Sequence, residues 1–298
     1  MSQATVHFFL PAPALRHAVS TYYVLHIAGP DDVEDMFPPE WANIRLVLSG
    51  RWRVKILGQS VQPVAEATIS GTQERGLVAY GTPGIGMGIG ILPEGWVQLT
   101  GQPADAFANR LRPLSDAFGP HAGDLVPMLR ALADGDGVVE ALDRYLLDRL
   151  APRPMAPTIV REAHAALVDA GNRSVEDWAT CLTLSTRQLE RLCLRYFGLR
   201  PMRLLRRQRF LRSLAAIRDV PPGSWGTLID PHYVDQSHFI REFRYFLGMS
   251  PRRYFARPQP FMRQAGDRRK ALLGSPVQGL HAPAATDDGS SDVVGRTV

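Results

Sequence analysis

The chain has 298 residues, 45% of them hydrophobic, and a formal net charge of +5 at pH 7. This length is about twice that of a typical domain, so we expect two domains, each with its own core. The two cysteines, Cys181 and Cys193, are too few for a disulfide framework, and both are expected to be core residues. We expect no signal peptide and no membrane span, which excludes secreted and integral membrane proteins and favours a cytoplasmic protein.

The charge is distributed unevenly along the chain. Residues 1–155 contain 12 basic and 16 acidic residues, residues 156–263 contain 18 and 9, and residues 264–298 contain 4 and 4. All 18 basic residues of the middle segment are arginines. A basic block of this kind behind an acidic one is typical of a nucleic-acid-binding domain joined to a second domain.

The first half of the chain predicts a β-rich domain over residues 1–150. Alternating apolar residues bounded by Gly and Pro predict strands at 22–27, 43–50, 52–57, 76–80 and 86–99. Helical spacing of apolar residues follows from about residue 104. The glycine-rich run 81–90 precedes a strand and not a helix, so it is not a phosphate-binding loop. We expect a small barrel or sandwich with helices that serves sensing or dimerisation.

The chain after residue 150 is predicted to divide into three parts. Residues 151–157 contain three prolines in seven residues and predict a linker. Residues 158–257 read as helical throughout. Residues 264–298 are rich in Gly, Ser, Ala and Asp and predict a disordered tail. The fold class is therefore α+β, with an all-α second domain.

One sequence pattern occurs twice in the basic segment, at a spacing of fifty residues. The matching pairs are Ser185 and Asp235, Leu189 and Phe239, Arg191 and Arg241, Gly198 and Gly248, and Pro201 and Pro251. Each copy opens with a residue type that caps helix N-termini and ends with a glycine suited to a left-handed C-terminal position. The pattern predicts two versions of one supersecondary unit.

Each copy is predicted to be a helix-turn-helix unit. In the first, Ser174 and Asp177 have capping-box spacing at the start of the helix before the turn. In the second copy, Phe239, Phe243 and Phe246 are expected to point inward. One longer helix of about 17 residues, spanning roughly 25 Å, is expected between the copies, and it can hold two recognition helices about one DNA turn apart.

These residues resemble the C-terminal domain of the AraC/XylS family of transcription regulators. The resemblance rests on S-x-x-x-L-x-R, F-G-x-x-P, D-Q-S-H-F-x-R-E-F-R and G-x-x-P-x-x-Y, over about 85 residues. It implies sequence-specific binding to double-stranded promoter DNA, with RNA polymerase as a further partner. The residues implied in DNA binding are Arg187, Gln188, Glu190, Arg191 and Arg195 in the first unit and Gln236, Ser237, His238, Arg241 and Arg244 in the second.

The second unit departs from the family pattern just before its recognition helix. The family usually has an apolar-Ala pair there and then a glycine before an aromatic residue. This chain has Thr227 and Leu228, and then Pro231 and His232 before Tyr233. Proline is expected to shorten or kink the helix before the turn. His232 is expected to adopt the left-handed conformation that glycine would adopt more easily.

The N-terminal region is similar to the cupin-like sensor domain of some members of this family, on the segment 88–119. A small-molecule effector is therefore expected, with Trp41, Arg45, Trp52 and Trp96 as candidate binding residues, and dimerisation alone is the alternative. A cupin-like enzyme is a further alternative, but the histidines of the domain are isolated and no catalytic constellation is visible. We expect no metal, no cofactor, no catalysis and no membrane partner, while a homodimer remains open.

Overall fold

A computed structural model describes residues 3–132, 137–169, 171 and 174–283. Within these residues the N-terminal region forms two antiparallel sheets, one of six strands in the order β1-β2-β9-β4-β7-β10 and one of four in the order β3-β8-β5-β6. The strands are β1 (Gln3–Phe9), β2 (Val19–Ala28), β3 (Val33–Phe37), β4 (Asn43–Val47), β5 (Trp52–Ile56), β6 (Gln62–Pro63), β7 (Ala67–Ser70), β8 (Leu77–Gly81), β9 (Gly84–Ile91) and β10 (Leu111–Pro113).

The two sheets face each other across an apolar core. Val6 and Phe8 from the larger sheet pack with Phe37, Val54 and Leu77 from the smaller one. Alternate residues of β1 are buried, because successive side chains of a strand point to opposite faces. The N-terminal region is thus β-rich, and the expected α+β fold class is confirmed.

Four helices cover the opposite face of the larger sheet. They are α1 (Pro93–Thr100), α2 (Ser115–Phe118), α3 (Leu125–Arg130) and α4 (Val138–Leu150). The predicted strand over 86–99 is wrong in its second half, because β9 ends at Ile91 and α1 begins at Pro93. Proline suits the first turn of a helix, and Gly101 ends α1 in the left-handed region at φ 71°.

Glycines occupy every second position of β9, which lies between β2 and β4. A Cβ at Gly88 would collide with the ring of Tyr23, and one at Gly90 would collide with the side chains of Ser20 and Gln278. A Cβ at Gly86 would meet nothing closer than 3.8 Å. The glycine row of β9 therefore makes room for large neighbours at two positions, and at the third it leaves room for a methyl group in van der Waals contact with Leu46 and Trp52.

The C-terminal region is helical. Its helices are α5 (Thr158–Val168), α6 (Val175–Cys181), α7 (Thr186–Leu192), α8 (Pro201–Ile217), α9 (Gln236–Leu247), α10 (Pro251–Phe255) and α11 (Met262–Leu273). The expected long helix between the two copies is confirmed as α8, which has 17 residues. Among the described residues, none of the helices is both long and apolar enough to cross a bilayer.

The predicted disordered tail does not hold for residues 264–283. Helix α11 packs against β1, and Phe261, Met262 and Ala265 join the core between the two sheets. The carboxylate of Asp35 accepts hydrogen bonds from the backbone N–H groups of Phe261 (3.0 Å) and Met262 (2.8 Å), which satisfies donors at the start of α11. The few apolar residues of this segment lie on one face of α11. The composition of the segment therefore did not indicate that this face packs on the sheets. Residues 284–298 lie outside the described residues.

Candidate nucleic-acid interface

The first unit is a helix-turn-helix made of α6 and α7. The capping box predicted at Ser174 and Asp177 is confirmed, with the two backbone N–H groups bonded at 3.0 and 3.2 Å. A second capping box joins Ser185 and Gln188 at the start of α7. Between the helices, Thr183 adopts the left-handed conformation at φ 54°, which makes the turn tight.

The first recognition helix continues beyond α7 as a π-helical turn from Cys193 to Phe197, and it ends at Gly198 with φ 82°. Leu189, Cys193 and Phe197 are buried on its inner face. Burial raises the pKa of the Cys193 thiol well above its usual value, so this cysteine is an inert core residue. Cys181 is exposed, and its predicted core position is wrong.

The outer face of this helix carries the first set of predicted DNA-binding residues. Arg187, Arg191 and Arg195 are exposed. Gln188 is also exposed, but its side-chain oxygen accepts a hydrogen bond from the N–H of Ser185 at 2.8 Å. Glu190 is half-buried and pairs with Arg200 at 3.3 Å. Three of the five predicted side chains therefore point freely outward, and two have a local structural partner.

The second unit has a reduced first helix. Its place is taken by a 3-10 helix from Pro222 to Thr227, in line with the shortening expected from Pro231. His232 does not adopt the predicted left-handed conformation. Its backbone N–H (3.0 Å) and its ring (2.7 Å) bond instead to Asp230, so a side-chain turn replaces the glycine turn. Burial works against ionisation of Asp230, but the bonds from His232 and the guanidinium of Arg212 hold its pKa below the usual value.

Helix α9 is the second recognition helix. Asp235 caps it by accepting a hydrogen bond from the N–H of His238 at 2.6 Å. The predicted inward residues Phe239, Phe243 and Phe246 are buried, which confirms the helical phase. The remaining predicted residues, Gln236, Ser237, Arg241 and Arg244, are exposed. His238 is half-buried, with its ring 5.2 Å from the ring of Tyr233.

Helix α8 joins the two units through ion pairs that the sequence did not reveal. Glu242 of α9 is nearly buried and accepts two hydrogen bonds from Arg206 at 2.8 and 3.0 Å. Arg209 pairs with the same carboxylate at 3.4 Å, and the hydrogen bonds of Glu242 raise the pKa of Arg206. Phe210 stacks on Phe246 at 4.4 Å. Arginines that appeared to belong to a DNA-binding surface therefore hold the second unit to α8.

The N-terminal domain contacts the second recognition helix directly. Glu74, in the loop after β7, accepts hydrogen bonds from the hydroxyl of Tyr245 (2.6 Å) and from Arg203. Arg75 donates to the carbonyl of Tyr245 at 2.7 Å, and Gly76 donates to the carbonyl of Phe246 at 2.8 Å. The C-terminal end of α9 is thus attached to the β-rich domain.

The first unit also contacts the N-terminal domain. Trp41 lies between the two domains, with its ring 5.9 Å from that of Phe197. His164 of α5 is fully buried and bonds to Glu94 of α1 at 3.2 Å. The N-terminal domain therefore holds both DNA-binding units, so a change in it can reach either one.

The four candidate effector residues lie in different places. Arg45 and Trp52 line a cavity between the two sheets. Trp41 belongs to the interface between the domains, and Trp96 is buried in α1 with its N–H bonded to the carbonyl of Gln102 at 2.9 Å. Among the residues that the structure describes, no group of three or more metal-ligating side chains comes together.

Residues 178–257, which contain both units, match a family model described as a helix-turn-helix domain. The chain thus contains a helix-turn-helix DNA-binding domain, in keeping with the geometry of α6 and α7. This match over residues 178–257 agrees with the AraC-type resemblance of the sequence in that region.

No curated protein matches the sequence. The fold is similar to that of ToxT from Vibrio cholerae, with 9% identity and a TM-score of 0.44 over 85% of this chain and 97% of that one. It is also similar to a ToxT structure with a bound unsaturated fatty acid, with 10% identity and a TM-score of 0.42 over 85% of this chain and 95% of that one. The AraC-like transcriptional activator CuxR has 15% identity and a TM-score of 0.30 over 72% of this chain and 87% of its own.

Proposed function

We propose that the protein binds promoter DNA with α7 and α9 in neighbouring major grooves, and that its N-terminal domain controls this binding in response to a small molecule. The observation that carries the proposal is the pair of equivalent capped helices, each with an exposed face of arginines. Arg187, Arg191, Arg241 and Arg244 form no ion pair with any of the described residues, so they are free to meet phosphates or base edges.

The predicted DNA-binding residues form two groups. The freely exposed side chains of Arg191, Arg241, Gln236 and Ser237 are the main candidates for base contacts, because arginine and amide groups read guanine and adenine edges. Gln188, Glu190 and His238 have partners within the protein and contribute chiefly by holding their helices in place.

The distance between the two units follows from α8. At 1.5 Å per residue this helix spans about 25 Å, and the centres of neighbouring major grooves on one face of DNA lie about 34 Å apart. The ion pairs of Glu242 hold α9 to α8, so the units form a stiff pair. We therefore propose two recognition sites separated by about one helical turn.

Control through the N-terminal domain is supported by its contacts with both units. A ligand that alters the position of the loop around Glu74, or of the residues around Trp41, would change the arrangement of the two recognition helices. The cavity between the sheets favours a sensor over a domain that only dimerises. This control requires no catalytic step. RNA polymerase and a second copy of the chain are further partners in the proposed function.

Footprinting of the full chain on the DNA upstream of its own gene tests the proposal, with scrambled DNA of equal length as the control. Two protected sites about one helical turn apart are expected, with an affinity that falls steeply as salt is added, because phosphate contacts release counterions. Equal protection of scrambled DNA would contradict specific readout.

A further inference from the structure

A narrow cavity lies between the two sheets of the N-terminal domain, and α11 closes one side of it. The space inside it that the centre of a water-sized sphere can reach is about 50 Å³. Phe8 and Trp52 contribute to its wall from the sheets, and Phe261 and Met262 contribute from the C-terminal segment. Because these walls are apolar and aromatic, the body of a ligand that fits here is apolar and slim.

The charged groups of this wall are two arginines. The side chains of Arg45 and Arg269 are 13% and 4% exposed, and both bind the carboxylate of Glu40, at 2.8 and 3.3 Å. Arg45 also donates to the hydroxyl of Ser70 at 2.8 Å. The Nε of Arg269 is buried and has no hydrogen-bond partner among the described residues. A buried donor without a partner is costly, and a ligand acceptor can satisfy it.

A third buried guanidinium interacts with the same carboxylate. Arg207 of α8 is 0% exposed and stacks on Trp41 at 3.9 Å, and its three nitrogens have no hydrogen-bond partner in the described part of the chain. Burial lowers the pKa of Arg207 to about 9, against the attraction of Glu40. The carboxylate of Glu40 therefore interacts with three buried guanidinium groups, and this region has an excess of positive charge.

We propose that the cavity binds a monocarboxylate with a slim apolar body, its carboxylate paired with Arg269 and Arg45. A carboxylate supplies the missing acceptor and also offsets the excess charge. An alcohol of the same shape supplies only the acceptor, and an ammonium group adds to the excess. Sugars and phosphates would leave polar groups unsatisfied against the aromatic walls.

The ligand would contact both ends of the chain. Arg269 lies on α11, which is tied to β3 through Asp35 and follows α10 of the second unit after residues 256–261. A bound carboxylate therefore stabilises the docking of α11 on the sheets and with it the position of the second unit. This regulatory step rests on the proposed function, whereas the binding of the carboxylate does not depend on DNA.

Calorimetric titration of the full chain, without DNA, tests the ligand class with octanoate, 1-octanol and octylammonium as probes. Octanoate is expected to bind at least about tenfold more tightly than 1-octanol, and octylammonium most weakly. Arg269→Gln is expected to abolish the preference for octanoate. Lys270→Gln, which removes an exposed charge from the same helix, is expected to retain it. Thermal unfolding without ligand verifies that each variant is folded. If Arg269→Gln does not fold, Arg45→Gln replaces it in the titration.

Three results would overturn the proposal: equal affinity for octanoate and 1-octanol, no binding of octanoate, or an undiminished preference in the folded arginine variant. The comparison of probes on the unsubstituted protein decides the question even if neither variant folds. DNA affinity is measured separately with and without octanoate. Octanoate binding that leaves DNA affinity unchanged contradicts ligand control of the regulator but leaves the ligand class in place.

Discussion

The two DNA-binding units share one sequence pattern but are held in place differently. In the first unit, both helices begin with a capping box, and the partners lie three residues apart in the chain. In the second unit the helix before the turn is a short 3-10 segment, and the recognition helix is anchored by Glu242 to α8 and by Tyr245 to Glu74. The helix before the turn is therefore secured by a local capping box only in the first unit, whereas in the second unit distant ion pairs and hydrogen bonds add to the cap at Asp235.

This difference indicates which unit is subject to control. Local capping bonds depend little on the rest of the molecule, so the first unit keeps its shape as long as its helices form. The bond between Tyr245 and Glu74 joins residues 171 positions apart, and it exists only while the two domains are docked. We therefore expect regulation to act mainly on the second unit.

The largest effect on this comparison is expected from Glu242→Gln. The nearly buried carboxylate holds Arg206 and Arg209, and loss of its charge leaves two guanidinium groups poorly compensated. The free energy of unfolding in urea should fall by about 2 to 3 kcal/mol. Glu190→Gln is the control, because its pair with Arg200 is largely exposed and worth at most about 0.5 kcal/mol. Equal losses for the two variants would contradict the difference between the units.

The anchor of α11, which follows the second unit, should make stability depend on pH. Burial raises the pKa of Asp35 to about 6, against the hydrogen bonds from the N–H groups of Met262, Phe261 and Met36. The folded pKa lies above the unfolded value, so the stabilising contribution is complete below about pH 4 and is lost as the pH rises through 6. Relative to Asp35→Asn, the free energy of unfolding should fall by up to about 3 kcal/mol between pH 4 and pH 7. Parallel urea-unfolding profiles of the two proteins would refute this assignment.

Arg191→Ala and Arg241→Ala compare the two units as readers of DNA. These arginines occupy equivalent positions and are both exposed, so each substitution should cost about 1 to 3 kcal/mol of specific binding free energy. Fluorescence anisotropy on specific and scrambled DNA provides the measurement, and Arg144→Ala on α4 is the control with no expected effect. A loss that is equal on both DNAs would make these residues phosphate contacts.

Glu74→Gln should loosen the second unit without changing the first. Removing the charge weakens the bonds to Tyr245 and Arg203, at a cost of about 1 kcal/mol. Amide hydrogen exchange should become faster over residues 244–249 and stay the same over 186–197, which serves as the internal control. Faster exchange in both recognition helices would show that the two units open together.

The smallest effect is expected from the caps of the first unit. Ser185→Ala removes the hydroxyl that accepts from the N–H of Gln188, which should lower the free energy of unfolding by about 1 kcal/mol. Ser224→Ala, in the 3-10 helix of the second unit, removes no cap and should change stability by less than about 0.5 kcal/mol. Thermal or urea unfolding measures both, and a larger loss for Ser224→Ala would reverse the interpretation.

Structural features with a local cause were predictable from the sequence. The caps at Ser174, Ser185 and Asp235 and the inward phase of Phe239 follow from spacings of three and four residues. Helix α1 was not predictable, since a short apolar run beginning at Pro93 fits a strand and a buried helix equally well.

The remaining features of the structure depended on contacts between residues that are far apart in the sequence. Arg203 is paired with Glu74 across 129 residues and Arg269 with Glu40 across 229, and neither pairing leaves a periodic signal. The charge pattern therefore assigned Arg203 to a basic DNA-binding segment and Arg269 to a disordered tail. Of the four effector candidates, Arg45 and Trp52 meet at the cavity because they lie on β4 and β5 of facing sheets.

The glycine row of β9 has a consequence for how the specificity of this protein can evolve. Tyr23 and Gln278 already occupy the space above Gly88 and Gly90, so those positions are closed to change. Gly86 borders the cavity and has a negative φ, and a methyl group there would lie at ordinary van der Waals distance, 3.8 Å or more, from Leu46 and Trp52. A single exchange of Gly86 for alanine would therefore shorten the longest ligand accepted while leaving the fold intact, so selectivity for ligand length can drift independently of stability and of the sequence read on DNA.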